Sequence, residues 1–174
     1  MLFRSDSVAV GASLDDQGAR GEYIRKGTNW AVIEQNRQDM IKICPQVDFY
    51  ISPTLSIMNA QSLPQFHRDW VAAGLIRAQD LNVNILQDGA HYRIDIATPA
   101  YKAGVQALYE EHLAWLRPQD RLQRATTGFE SAINFLNATD NSHLLPRFWS
   151  NMRQLDHIRG ENILEVIQIG RAHV

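Results

Sequence analysis

Val8-Ala9-Val10-Gly11-Ala12-Ser13-Leu14, with Asp15-Asp16 directly behind it, is a short apolar run that stops on polar residues. Strands of a parallel sheet covered by helices read this way, so 8–14 is predicted to be a buried parallel strand. The stretch 15–27, rich in glycine and charge, is expected as a loop. Beyond it Trp30, Ile33, Arg37, Met40, Ile41 and Cys44 fall on one face at helical spacing, which predicts an amphipathic helix over 29–43. Cys44-Pro45 ends that helix, and Val47 to Leu55 reads as the next strand, distorted near its end by Pro53. Ser62-Leu63-Pro64-Gln65 then carries a capping box and a first-turn proline. Leu63, Phe66, Trp70 and Val71 give the new helix a core face, and Gly74 supplies its stop.

The alternation continues once more. Leu81 to Leu86 is predicted as the third strand, followed by an Asp88-Gly89 turn and a short extended segment over 91–96. Thr98-Pro99 opens a long helix to about Leu116, with Val105, Leu108, His112 and Trp115 near one stripe. After Arg117-Pro118 the strand pattern stops. Two more helices are expected, near 127–137 and 142–155, and no internal repeat is present. Strand and helix in alternation imply βαβ units feeding a parallel sheet. The expected fold class is therefore α/β: about three strands of a parallel partial barrel over 6–117, then a helical extension over 118–167.

Composition narrows the function classes. A formal charge of −2 with no basic run gives no general attraction to nucleic acid. No apolar run approaches the ~20 residues that span a bilayer. A single cysteine, Cys44, excludes an internal disulfide and fits a reducing, cytoplasmic compartment. Its place on the apolar helix face predicts a buried, inert thiol. The histidines show no spacing typical of a helical zinc site, so none is read as a metal ligand. Glu110-Glu111 reads as a solvated helix face.

The two ends read differently from the rest. Leu2-Phe3-Arg4-Ser5 and Ile169-Gly170-Arg171-Ala172-His173-Val174 match in-frame translations of the two common short-read sequencing adapters. Residues 1–5 and 168–174 are accordingly set aside from fold reasoning. The remainder is expected to be an internal piece of a longer gene.

Ligands of parallel α/β folds sit at the C-terminal ends of the strands. Here that edge carries Ser13 and Asp15, then Thr54, Ser56 and Asn59, then Asn84, Gln87 and Asp88, a rim suited to a polar small molecule. Ser13-Leu14-Asp15-Asp16 with Glu22-Tyr23-Ile24-Arg25-Lys26-Gly27 resembles the fourth-strand region of radical SAM enzymes of the SPASM/twitch type. Ser52-Pro53-Thr54 with Asn59 is similar to that family's fifth strand, and Asn82-Val83-Asn84-Ile85-Leu86 to its sixth. Pro99 with Lys102 opens the expected helix. Phe148-Trp149 and Leu155-Asp156-His157-Ile158-Arg159-Gly160-Glu161 resemble a helical stretch leading towards a twitch region. Asp16 departs from the pattern, standing where the family has glycine.

The resemblance implies a parent enzyme that cleaves S-adenosylmethionine reductively to a 5′-deoxyadenosyl radical for hydrogen abstraction. It assigns Ser13 a hydrogen bond to that cofactor, Arg25 a pairing with its carboxylate, and Asn59 a reach towards cofactor or substrate. A [4Fe-4S] cluster and a reductant protein are implied for the parent, the substrate being an unidentified small molecule or peptide. The family's three-cysteine loop is not among these residues, and Cys44 alone cannot ligate a cluster. Two other readings of the same residues stay open: a non-enzymatic metabolite-binding module, and a piece of an aldolase- or lyase-type barrel.

Overall fold

The computed structural model describes residues 8–167; the adapter-like termini, 1–5 and 168–174, lie outside the described residues. Strand β1 (Ala9–Ala12) pairs in parallel with β2 (Asp48–Ile51), from Ala9 opposite Asp48 to Ala12 opposite Ile51. Pro53, which has no N–H to give to a ladder, interrupts the second strand. Pairing resumes when β3 (Thr54–Leu55) meets β4 (Asn84–Ile85), again in parallel. A parallel bridge from Ile51 to Leu81 joins the two halves into one three-stranded path. The protein is thus mixed α/β with a few short parallel strands.

Only one face of these strands is covered, which corrects the expectation of a fully buried first strand. Phe49, Ile51, Leu55 and Leu81 are buried against helices, with Val10, Ala12, Leu14, Val83 and Ile85 packed beside them. Ser13 and Asn84 are exposed, and Tyr50 and Ser52 are half-buried on the other face. Such alternation follows from the two-residue repeat of a strand.

Among the described residues seven α-helices accompany the strands: α1 (Gly18–Ile24), α2 (Trp30–Ile43), α3 (Leu63–Ala72), α4 (Pro99–Leu116), α5 (Arg124–Ala138), α6 (Leu145–Arg159) and α7 (Ile163–Val166). Local chemistry fixes the starts of two. Asn29 accepts from the Val32 amide at 3.1 Å to cap α2, and Thr98 accepts from Tyr101 at 3.3 Å to cap α4. The residues after α3 and α6, Gly74 and Gly160, adopt the left-handed conformation that ends a helix (φ 69° and 64°).

Three sequence expectations are corrected. The segment 15–27 holds α1 rather than an unbroken loop, and 91–96 forms two 3-10 turns rather than an extended strand. Ser62 makes no capping box: its hydroxyl donates to Asp16, while Gln65 donates to Asp69 at 2.6 Å. The last two long helices fall where expected, slightly extended.

Two cores result. The larger holds Trp30, Phe66 and Trp70, with ring centroids 5.3–5.8 Å apart, together with the buried strand face and helices α3 to α5. The smaller gathers Tyr23, Ile57, Ile96, Phe148, Met152, Ile163 and Ile167 beneath α6 and α7. Among the described residues no helix is long and apolar enough to cross a membrane.

Candidate functional site

The C-terminal ends of the strands meet α1 and α6 around one buried carboxylate. Asp15, 7% exposed, follows β1 and accepts the Thr54 amide at 2.7 Å, which ties the end of the first strand to the second. Arg25, the residue ending α1, pairs with the same carboxylate: Nη2 donates to Oδ1 at 3.3 Å, while Nε lies 2.9 Å from Oδ2 as an ion-pair contact without hydrogen-bond geometry. One hydrogen bond and the opposite charges hold the guanidinium at the strand ends. Its third nitrogen, Nη1, has no hydrogen-bond partner among the described residues, and the side chain is 38% exposed.

Asn59 is fully buried, and its amide is saturated. Nδ2 donates to the Asp15 carbonyl at 2.7 Å and to Thr54 at 3.1 Å, and Oδ1 accepts from the Ser56 amide at 2.8 Å. An asparagine with both donors and its acceptor used inside the protein shapes the site and has nothing left to offer a ligand. Ser13 stands apart from this network, at the end of β1 on the open strand face. Next to it on the second strand is Ser52, and Asn84, level with Thr54 two residues further on, donates from Nδ2 to Ser52 Oγ at 2.8 Å. Tyr50 lies lower on the same face, and its ring lies over Gly11, where a Cβ would come within 2.8 Å of it. The strand ends thus carry two polar groups, a carboxylate-guanidinium pair and an open row of hydroxyls and amides.

Asp16 organises rather than opens this region. Its buried carboxylate accepts from Gln17 N at 2.8 Å and Arg20 Nε at 3.0 Å, and from the Ser62 hydroxyl, so α1 and α3 both start against it. Burial raises its pKa above the ordinary value, while Ser62 and Arg20 pull it back.

A cavity of about 220 Å³ opens beside the pair. Its polar floor is Asp15, Thr54 and Ser56. Its walls are Tyr23 and Ile24 from α1, Met58, Leu86 and Tyr92 from the strand exits, and Met152, Leu155 and Arg159 from α6. The α6 wall is clasped to α1: the Tyr23 hydroxyl donates to Asp156 at 2.7 Å, and Arg159 donates to the Tyr23 carbonyl at 3.1 Å. Burial and the Asp156 charge push the Tyr23 phenol well above its usual pKa, so it remains a neutral donor. Sequence reasoning placed Tyr23 and Asp156 in two separate motifs and did not bring them together, because they lie far apart in the chain.

The remaining candidates sit elsewhere. Gln87 turns back onto the Ile85 carbonyl, and Asp88 is exposed in its turn. Cys44 caps α2 at the opposite end of the strands and is half-buried, correcting the expectation of a buried thiol. Among the described residues no three His, Cys, Asp or Glu side chains are placed to hold a metal ion. His67 and His112, also missed, meet in the main core with Nδ1 and Nε2 3.0 Å apart. In comparisons with known proteins, no family model, curated protein or solved structure matches the chain.

Proposed function

We propose that the chain is part of the cofactor-binding barrel of a radical S-adenosylmethionine enzyme. The three parallel strands would be middle strands of a partial barrel, their polar face turned towards cofactor and substrate. One observation carries this reading. Arg25, which the resemblance assigns to the cofactor carboxylate, stands at the strand ends, oriented by Asp15 and with Nη1 unengaged among the described residues.

The donor set fits the amino-acid end of S-adenosylmethionine. Arg25 would grip the carboxylate through charge-assisted hydrogen bonds, and Ser13 would add one neutral bond from the end of β1. Asn59 would act one step back, by fixing the turn that carries Asp15, which in turn aims Arg25. Given one electron from an iron–sulfur cluster, the bound cofactor would supply, besides methionine, a 5′-deoxyadenosyl radical for hydrogen abstraction from a small-molecule or peptide substrate. The donor set does not fit the cluster itself. A [4Fe-4S] cluster takes several thiolates, whereas Cys44 is a single thiol at the far end of the strands. Such a cluster, and the reductant protein feeding it, would be met by residues other than those described.

Isothermal titration of S-adenosylmethionine into the chain tests the assignment. Arg25→Ala is expected to cost about 2–4 kcal/mol of binding, Ser13→Ala about 1 kcal/mol, and Arg25→Lys an intermediate amount, since an ammonium cannot reproduce the fork. A folded chain that ignores the cofactor would overturn the reading in favour of a metabolite-binding module or an aldolase- or lyase-type barrel.

A further inference from the structure

The cavity between the strand ends and α6 has a lining that matches one ligand chemistry closely. Two aromatic rings (Tyr23, Tyr92), two thioethers (Met58, Met152) and the aliphatic side chains of Ile24, Leu86 and Leu155 form its walls. The charged groups at its margin are already engaged. Asp15 is paired with Arg25, the Tyr23 hydroxyl donates a hydrogen bond to Asp156, and Arg159 donates to the Tyr23 carbonyl. Little remains to attract an ion, and much remains to attract an apolar, polarisable group. Thioether sulfur makes favourable contacts with aromatic rings.

Size narrows the class further. A cavity of ~150 Å³ lined by apolar side chains is enough for benzene. The ~220 Å³ here suits one or two fused rings and is too small for a drug-sized molecule. The walls are also fixed before any ligand arrives. Tyr92 packs edge-on against Phe148 at 5.8 Å and its carbonyl accepts from Ile57 N at 3.0 Å, while the Tyr23–Asp156 clasp holds α6 in place. A preformed site binds without the cost of ordering its walls.

We infer that this cavity is a binding site for a neutral aromatic group of single-ring to indole size, held between α1, the strand exits and α6. The site stands on its own lining and does not need the cofactor reading. Indole bound without S-adenosylmethionine would keep this assignment and remove the other.

Indole titrated into the complete chain, followed by ligand-observed NMR and calorimetry, is the test. Binding is expected with a Kd of about 1 mM or tighter, in keeping with so small a ligand. Met152→Trp, which fills the cavity from α6, is expected to weaken indole at least tenfold. Leu155→Trp fills it from a half-buried position and serves if the first variant fails to fold, each variant's melt being recorded. Ile41→Ala, in the groove at the other end of the strands, should leave indole affinity unchanged. Failure of the wild-type chain to bind indole at several millimolar overturns the assignment. So does undiminished binding in a folded filled variant, or adenosine binding where indole does not.

Discussion

At the level of single residues, Gly21 and Gly104 make opposite predictions from the same kind of substitution. Gly21 sits in α1 where an added Cβ would meet the Asp16 carbonyl oxygen at 2.5 Å and the Trp30 ring at 3.3 Å. The nearest atom is backbone and cannot swing aside, so Gly21→Ala must shift α1 against the loop that carries Asp15 and Asp16. Overpacking of this kind costs about 1–3 kcal/mol. Gly104 lies within α4, where a Cβ meets nothing within 4 Å. There alanine lowers the entropy of the unfolded chain without strain, a gain of about 0.4–1 kcal/mol. Urea unfolding of the two variants should move the midpoint in opposite directions. Equal shifts would mean that α1 is not seated on the Asp16 carbonyl.

Among the elements, α6 is the one whose attachment is most exposed to test. Asp156 does two jobs: Oδ1 accepts from Tyr23 and Oδ2 accepts from the Ile163 amide at 3.0 Å, which starts α7. Lys26 pairs with Glu161 across the same seam. Because the core beneath α6 and α7 is separate from the main one, losing the clasp should loosen these helices locally. Asp156→Ala is expected to cost about 2–3 kcal/mol, as two charge-assisted bonds are lost. Hydrogen exchange should quicken in 145–166 and stay slow in α2 to α4; uniform acceleration would contradict two separable cores. The same contrast explains what the sequence made legible. Helix α2 was legible through its apolar spacing and α4 through the Thr98-Pro99 start, both of them local signals. Helix α1 was not. It is short and contains Gly18 and Gly21, and it forms because Asp16 anchors its first turn and Tyr23 buries its face. Likewise, the strand-end rule brought Asp15, Thr54, Ser56 and Asn59 together correctly. Tyr23, Met152 and Arg159 escaped it, since they meet only after the chain has folded back.

For the molecule as a whole, the main core carries a built-in acid sensitivity. His67 on α3 and His112 on α4 are both fully buried, packed against Trp115 and Phe129. Arg68 Nε donates to His112 Nδ1 at 3.3 Å, so the His112 proton sits on Nε2 and is given to His67 Nδ1. This chain of bonds requires both rings neutral. Burial lowers the His67 pKa to about 4, opposed first by the Ala78 backbone and then by the Asp120 and Asp80 charges. Burial, then the His67 and Arg68 charges, lowers His112 to about 3. Unfolded histidine titrates near 6.5. Below that pH the unfolded chain takes up protons that the folded one refuses, so stability is full above about 6.5 and is lost as pH falls. Two such groups give a limiting slope of about 2.7 kcal/mol per pH unit. His91, also lowered, adds in the same direction, while the raised Asp16 works against it at lower pH. Denaturant unfolding at pH 7 and pH 5 should therefore differ by about 4 kcal/mol in the wild-type chain. In His67→Leu/His112→Leu most of that difference should vanish, whatever the variant's stability at pH 7. The slope and not the midpoint is diagnostic, because repacking the pair with leucine changes stability at every pH, whereas only a titrating group changes it between two. A wild-type chain equally stable at pH 7 and pH 5 would mean that the two rings are not locked away from protons in the core.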